Sequence, residues 1–301
     1  MIRQGKKIAR YGTWLGYVLF AVTIGGMFLY FCFPSDAVRD YLEGSASRFA
    51  PPLTLRLHNV RPAFPFGLKF EDADLGFKEG PGIPLFKADS FVLRPSMRIL
   101  ALRGPAFRFA CSAYGGKIQG VIVFKAFSFQ GPFQSDVEMT DVRLGQHPYF
   151  RDWLKRELTG TVSGSVTYTG RPGSFPQGTG QGDLSILNGS VRLAQPFLGV
   201  ESVNFRRIDV EMVLEKQHIS LARFDFEGKE VEGKVSGTVH LNPHFSRSTL
   251  DLRVALKASS AFLPGEGGLV GAATFLGQGL RDGNVTISIR GTVAQPRISF
   301  I

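Results

Sequence analysis

The stretch VEGKVSGTVHL, residues 231–241, alternates between apolar and polar side chains with a period of two. That period is typical of a β-strand with one buried and one solvated face. Residues 250–257, LDLRVALK, and 284–293, NVTISIRGTV, repeat the pattern. The residues that we predict to share one apolar face, as a packed core or an open groove, are Val231, Val235, Val239, Leu241, Leu252, Val254, Leu256, Ile287 and Ile289.

Similar runs occur through most of the chain beyond residue 50. Further strands are predicted at residues 53–57, 67–77, 90–93, 116–129, 137–144 and 160–170. The apolar phase of the second run slips near Asp72, which indicates a bulge or a change of face. Residues 178–182, GTGQG, are interpreted as a flexible turn. The sequence therefore predicts a mainly β protein.

Few helices are expected. Ser35 and Asp36 can cap a short helix that runs toward Phe49, before Pro51 and Pro52 end it. Residues 146–158 carry an apolar stripe at helical spacing and predict an internal amphipathic helix, and residues 97–102 predict a helical turn. With so few helices to act as a lid, the sheet must cover its own apolar side as a barrel, a sandwich or a curled trough. Such a trough is either a packed core or a slot for acyl chains.

An uncharged apolar run, residues 11–33, lies near the N-terminus. As a helix it would reach roughly 35 Å, enough to cross a bilayer core of about 30 Å. Arg3, Lys6, Lys7 and Arg10 precede it, so we expect a cytoplasmic N-terminus and an exported remainder. A cleaved signal peptide is the alternative, but its apolar region would be shorter and end in small residues. The predicted anchor residues are Tyr11, Trp14, Leu15, Val18, Val22, Phe28 and Tyr30.

This organisation divides the chain into three parts. Residues 1–10 form a basic cytoplasmic tail, residues 11–33 a transmembrane helix, and residues 34–301 a β-rich periplasmic domain with an alternative sub-boundary near 146–160. Basic residues (35) outnumber acidic ones (25), but they are scattered rather than clustered, which argues against nucleic-acid binding. The partners expected are the inner membrane and other envelope components.

The sequence offers no catalytic, cofactor or metal site, and we expect a protein that is not an enzyme. His240 and His244 have the spacing of a helical zinc pair, but Pro243 lies between them and His240 ends a predicted strand. Cys32 and Cys111 fall in different parts of the chain, so no disulfide framework is expected. Neither a nucleophile elbow nor a phosphate-binding loop is present.

Several motifs together resemble a known family. They are FPFGLKF at residues 64–70, the repeated Gly-x-Val-x-Gly theme, FEGKEVEGKVSG at residues 226–237 and IRGTVAQPR at residues 289–297. The last is similar to the "G-T-x-x-x-P" close of AsmA-like envelope proteins. The whole layout resembles the type II secretion system protein N family.

The resemblance implies an inner-membrane-anchored, elongated and curled antiparallel β-sheet, an AsmA- or TamB-like groove with one or two short amphipathic helices. It implies a non-enzymatic accessory role in type II protein secretion in a Gram-negative envelope, with other secretion components as partners. The alternative hypothesis is a lipid-binding or lipid-transfer groove that takes phospholipid acyl chains. The residues leave these two hypotheses open.

Overall fold

The structure is a computed structural model that describes residues 5–49, 53–78, 84–96, 104–147, 158–197, 200–228, 231–242, 247–258 and 284–300. These residues contain two α-helices, α1 (Gly5–Phe31) and α2 (Ser35–Phe49), and fourteen β-strands. The strands are β1 (Leu53–Pro62), β2 (Leu68–Phe77), β3 (Pro84–Pro95), β4 (Ala106–Ala113), β5 (Gly116–Phe124), β6 (Phe133–Arg143), β7 (Thr161–Gly170), β8 (Thr179–Phe197), β9 (Val200–Glu215), β10 (His218–Gly228), β11 (Val231–His240), β12 (Thr249–Ala258), β13 (Asn284–Thr292) and β14 (Pro296–Phe300).

All fourteen strands form one open antiparallel sheet in strict chain order, from β1 to β14. Each described strand pairs only with its neighbours in sequence, so the chain runs up and down across the whole sheet. We call the edge formed by the loops after odd-numbered strands the upper edge, and the opposite edge the lower edge. The prediction of a mainly β, antiparallel architecture is confirmed. β6 pairs with β7, so the sheet is continuous across the sub-boundary suggested near residues 146–160.

The period-two runs locate most strands, but several boundaries were wrong: β3 and β6, for example, begin earlier than predicted. The strand predicted over residues 116–129 ends at Phe124, and residues 125–132 form the loop that returns the chain so that Phe133 pairs with Phe124. Residues 179–182, interpreted as a turn, begin β8 instead. Gly180 and Gly182 lie opposite Tyr168 and Met212, whose side chains occupy the space beside them. Glycine here accommodates a neighbouring side chain and does not break the strand.

The helix predicted from Ser35 to Phe49 is confirmed as α2. α1 spans Gly5–Phe31 and thus begins before the apolar run, within the basic tail. None of the helices in the described part of the chain combines the length and the apolar character that crossing a membrane requires. The side chains of Trp14, Val18, Val22, Phe28 and Tyr30 on α1 are all exposed. Tyr11 and Leu15 belong to the same helix, and their side chains lie outside the described residues.

α2 covers the free edge of β1. The Leu57 backbone N–H, on the first strand of the sheet, donates a 2.7 Å hydrogen bond to Glu43 Oε1. Val38 and Leu42 of α2 pack against the buried cluster of Leu57, Val60 and Phe70. An edge strand left bare would offer unpaired backbone groups to another chain, and a covering helix removes that hazard.

Two predicted helical segments are not seen as such. Residues 97–102 lie outside the described residues, as do residues 148–157 of the predicted internal helix. Its two ends are described and are not α-helical: Gln146 closes a 3-10 turn that begins at Leu144, and Leu158 forms an isolated β-bridge with Val191.

The apolar side of the sheet changes phase where single residues adopt a left-handed conformation. Asp72 has φ 53°, Asp141 φ 55° and Asn188 φ 50°. At Asp72 the inward side chains change from Phe70 to Ala73, which is the phase slip predicted from sequence, and the slip is thus a change of face around one left-handed residue. Asp and Asn tolerate this region better than other non-glycine residues. These positions bend the strands without breaking the pairing.

We expect the left-handed conformation at Asp72 to be a stability determinant. Asp72→Val should lower the free energy of unfolding by about 1–2 kcal/mol, because a β-branched residue is strained there. Asp72→Gly is the matched control and should stay within about 0.5 kcal/mol of the wild type. Urea unfolding of the full chain in mild detergent, followed by circular dichroism, measures both. Equal midpoints for the two variants would contradict the assignment.

Candidate functional site

Eight of the nine residues predicted to share an apolar face lie on one side of β11, β12 and β13, and the ninth, Leu241, follows β11. Val235, Val254 and Ile287 stand directly opposite one another across β11, β12 and β13. Leu252 faces Ile289 in the next row. Of the remaining residues, Val239 lies opposite Leu250, Leu256 opposite Gly233, and Val231 opposite Ala258. Leu241 lies just beyond the end of β11. Leu241 is buried, the side chain of Val231 is outside the described part, and the others are half-buried.

The same face continues without a break to β1, which the sequence interpretation did not anticipate. Its rows contain Leu184, Val210 and Phe224 in the middle of the sheet, and Phe70 and Phe91 near its start. In the described strands, no Asp, Glu, Lys, Arg or His stands at an inward position of these rows. We call this continuous surface the apolar face.

Aromatic rings form two lanes across the apolar face. In the first, Phe91 lies 5.8 Å from Phe70 and 5.7 Å from Phe109, measured between ring centroids. The second follows the upper ends of β4 to β7, and its successive contacts are Phe107–Phe124 at 6.4 Å, Phe124–Phe133 at 5.9 Å and Phe133–Tyr168 at 5.6 Å. The signal in the sequence was the 27 phenylalanines, whose positions alone did not show which rings would meet.

Glycines on the apolar face lie beneath large side chains of the paired strand. A Cβ at Gly120 would come within 2.8 Å of the Phe109 ring, and one at Gly233 within 2.7 Å of Leu256 Cδ2. A Cβ at Gly189 would overlap the Phe205 ring. A ring that lies over a glycine covers exposed backbone, an arrangement known to stabilise sheets. The ring then lies close to the backbone of the sheet, so the apolar face is shallow and smooth.

No second layer covers the apolar face within the described residues. α2 packs at its β1 end, and the other packing contacts among the described elements join neighbouring strands. Most inward side chains are half-buried rather than buried. The apolar face is therefore partly accessible along most of its length.

Burial is deepest along the lower edge between β3 and β7. The cluster there consists of Ala88, Cys111, Ala113, Tyr114, Val142 and Val162. Burial raises the pKa of the Cys111 thiol to about 11, because the charged thiolate is disfavoured in an apolar environment. Cys111 and Cys32 are both free thiols. The upper ends of the same strands carry the half-buried rings of the second aromatic lane, so the apolar face is more open toward the upper edge.

The opposite face of the sheet carries the charges. Arg223 Nε lies 2.7 Å from Asp225 Oδ2, and the hydrogen bond between them is the largest cause that lowers the pKa of Asp225. Arg207 pairs with Asp209 at 2.7 Å on the same face. These pairs are solvated and contribute little to stability. They do fix which side of the sheet faces water.

A wide recess lies on the polar face, across β3 to β8. Its volume is about 1390 Å³, and Arg94, Arg108, Asp136, Glu138 and Asp183 are among its lining residues. A twisted sheet curves in opposite senses along its two diagonals, so each face has a concave direction. These side chains are exposed and of both signs. The recess is a solvated concavity.

Chemistry that would need converging polar groups is not seen among the described side chains. No three His, Cys, Asp or Glu residues of that set lie close enough together to hold a metal ion. His240 does end a strand, and its ring lies 4.6 Å from that of His218 on the paired strand. His244, its sequence partner in the zinc hypothesis, lies outside the described residues.

Two glycines of β8 provide a matched test of this surface. Gly189→Ala should destabilise the sheet by about 2 kcal/mol or more, because its Cβ would overlap both the Phe205 ring and the Thr159 carbonyl oxygen. Gly182→Ala should cost less than about 1 kcal/mol, since its Cβ meets only the flexible end of Met212 at 3.2 Å. Thermal unfolding of both variants measures the difference. Equal losses of stability in the two variants would show that glycine is required there for its backbone conformation alone, and not for the space beside it.

No protein-family profile matches this chain, and neither a curated protein nor a solved structure matches it. The candidate site is therefore defined by the chain's own geometry. It is the apolar face, which is uncharged in the described strands from β1 to β14 and, among the residues that the structure describes, is covered by a helix at its first strand.

Proposed function

We propose that this chain is a non-enzymatic envelope protein whose apolar face binds lipid acyl chains. The single observation that carries the proposal is the apolar face, which crosses all fourteen strands, carries no charged residue in them, and is covered among the described residues by a helix at its β1 end. A protein does not normally leave so large an apolar surface in water, because burying it is favourable by about 25 cal/mol per Å². Acyl chains can cover such a surface without specific hydrogen bonds.

The dimensions agree with this proposal. Fourteen strands spaced about 4.8 Å apart span roughly 60 Å, whereas an acyl chain reaches only about 15 Å, half of a bilayer core. The apolar face can therefore hold several chains side by side. Each buried methylene contributes about 0.8 kcal/mol before the costs of immobilisation are subtracted. The outward charges keep the opposite face in water.

The proposal includes an anchor. It assigns residues 11–33 to the bacterial inner membrane as a single transmembrane helix, with the N-terminus cytoplasmic and the bulk of the chain periplasmic. The basic residues that precede the run and the exposed apolar side chains of α1 support it. An anchor at the β1 end would bring the apolar face close to a source of lipid.

Neighbouring residues on opposite faces give a matched test of lipid binding. Val254→Glu places a carboxylate on the apolar face, and Arg253→Glu places the same group on the exposed polar face. Native mass spectrometry after gentle detergent extraction should find phospholipid on the wild type and on Arg253→Glu. Occupancy of Val254→Glu should fall by about tenfold or more, because burying a charge beside acyl chains is costly.

Circular dichroism of each variant controls for folding. If Val254→Glu does not fold, Leu252→Trp, which fills space without adding charge, replaces it. A folded wild type that is reproducibly free of lipid would overturn the proposal.

We propose a second function, a component of type II protein secretion, on the sequence layout. Its motifs occupy defined places in the sheet: residues 64–70 form the β1–β2 turn and the start of β2, residues 226–237 join β10 to β11, and residues 289–297 form the β13–β14 hairpin. The two functions are compatible.

Deleting the gene should reduce export of secreted enzymes while their intracellular levels stay normal. The measurement is enzyme activity in culture supernatant against activity in cells. Complementation with Val254→Glu then separates the roles: restored export would mean that secretion does not need the apolar face. Normal export in the deletion strain, with the rest of the secretion machinery present, would refute this second function.

A further inference from the structure

Five phenylalanines in loops at the upper edge have exposed side chains. Phe64 and Phe66 lie in the β1–β2 turn, Phe127 and Phe129 in the β5–β6 loop, and Phe175 in the β7–β8 loop. Their exposed fractions are 86%, 71%, 79%, 51% and 60%, respectively. We call these residues the aromatic rim. Large rings that stand in solvent on separate loops of one edge indicate a surface that contacts something apolar.

The lower edge is different in the residues that the structure describes. Tyr114, in the β4–β5 turn, is buried, and His147 is half-buried. None of the described loops at that edge exposes a large apolar side chain. The asymmetry follows from the up-and-down topology, which sends alternate loops to opposite edges.

Basic residues accompany the aromatic rim. The three rim loops, residues 63–67, 125–132 and 171–178, contain Lys125 and Arg171 and no acidic residue. Near the upper ends of the strands, Arg94 and Arg108 are exposed basic residues. Arg61 and Lys69 pair there with Glu71, and Lys216 pairs with Glu215, so these three charges are largely balanced. Exposed rings mixed with Lys and Arg are typical of surfaces that rest in the headgroup region of anionic membranes.

α1 arrives at the same edge. α2 ends at Phe49, close in sequence to the lower end of β1, and its Glu43 bonds to Leu57, so α2 runs antiparallel to β1. Its first residue therefore points toward the upper edge. Phe33, between the helices, packs against the cluster that includes Val60 and Phe70. Leu68 and Leu93, at the upper ends of β2 and β3, pack against the same cluster.

The aromatic rim is continuous with the lining of the apolar face. Phe129 lies 5.2 Å from Phe124 and 6.0 Å from Phe107, both in the second aromatic lane. Phe175 stacks on Tyr168 at 5.0 Å, at the end of that lane. A hydrocarbon chain that enters at the rim would meet apolar contacts from the loop tips to the sheet.

We propose that the aromatic rim inserts into the interfacial region of an anionic lipid bilayer, so that the upper edge rests on the membrane and the apolar face opens onto it. The partner is the lipid surface that holds α1, and the inference rests on the anchoring proposed above. Lys125 and Arg171, on the rim loops, bind lipid phosphates. The rings enter by about 5–10 Å, to the level of the upper acyl carbons.

Single-cysteine probes on the full chain in proteoliposomes test this placement. The background carries Cys32→Ser, and the native Cys111 stays because a buried thiol with a pKa of about 11 labels slowly at neutral pH. An environment-sensitive fluorophore is attached at Phe127→Cys on the rim, at Gln146→Cys as an exposed control at the lower edge, or at Val22→Cys in α1.

With vesicles that contain phosphatidylglycerol, the Phe127 probe should shift to shorter wavelength and be quenched by brominated lipid at least about threefold more than the Gln146 probe. The shift should weaken in high salt, because the phosphate contacts are screened. Lys125→Glu combined with Arg171→Glu should reduce it, with circular dichroism unchanged.

The Val22 probe separates the two proposals. If it is quenched while the Phe127 probe behaves like the Gln146 probe, the anchor holds and the rim proposal is overturned. If neither Val22 nor Phe127 is quenched, the anchoring proposal fails as well. Rim quenching that is equal in phosphatidylcholine alone and insensitive to salt would overturn the role of the basic residues.

Discussion

One constraint governs this molecule: every strand presents an uncharged side and a polar side, and only neighbours in sequence pair. The backbone hydrogen bonds of the strands are made between neighbouring strands of the sheet. They do not involve the side chains of the apolar side, whose contacts are a separate matter. In the described residues, a helix covers it only at β1. A sandwich would have placed a second sheet on that side, and a barrel would have joined β1 to β14. Neither occurs, and the apolar face stays accessible.

The features of this surface act together. Glycines let rings lie flat, left-handed residues such as Asp72 and Asn188 turn the strands while the pairing continues, and paired charges hold the other face in water. Each of these three features alone is a local adjustment of a β-sheet. Together they produce a wide surface with low relief, which suits a flexible hydrocarbon ligand better than a rigid one. The candidate site is therefore an extended surface that many strands build together.

The period-two alternation predicted nine of the fourteen strands and the face of the C-terminal residues, because both are local consequences of side-chain polarity. Ser35 and Asp36 likewise predicted the start of α2. The reach of the apolar face could not be predicted, since it depends on register: Leu184 and Val210 become neighbours only through pairing. The start of β8 was not predicted, because Gly180 and Gly182 are typical of a turn in the sequence alone. The structure shows that the side chains of Tyr168 and Met212 occupy the space beside them. The aromatic rim was also not predicted, because the edge of the sheet at which a loop lies depends on how many strands precede that loop.

The strict chain order of the strands has a consequence for how such a molecule forms and varies. Nearly all pairing is between segments close in sequence, so structure can propagate from one hairpin to the next without long loops closing first. An added or lost pair of strands would leave the remaining registers, the sidedness and the orientation of both edges unchanged. Width is thus a modular quantity in this architecture, adjustable in steps of about 10 Å.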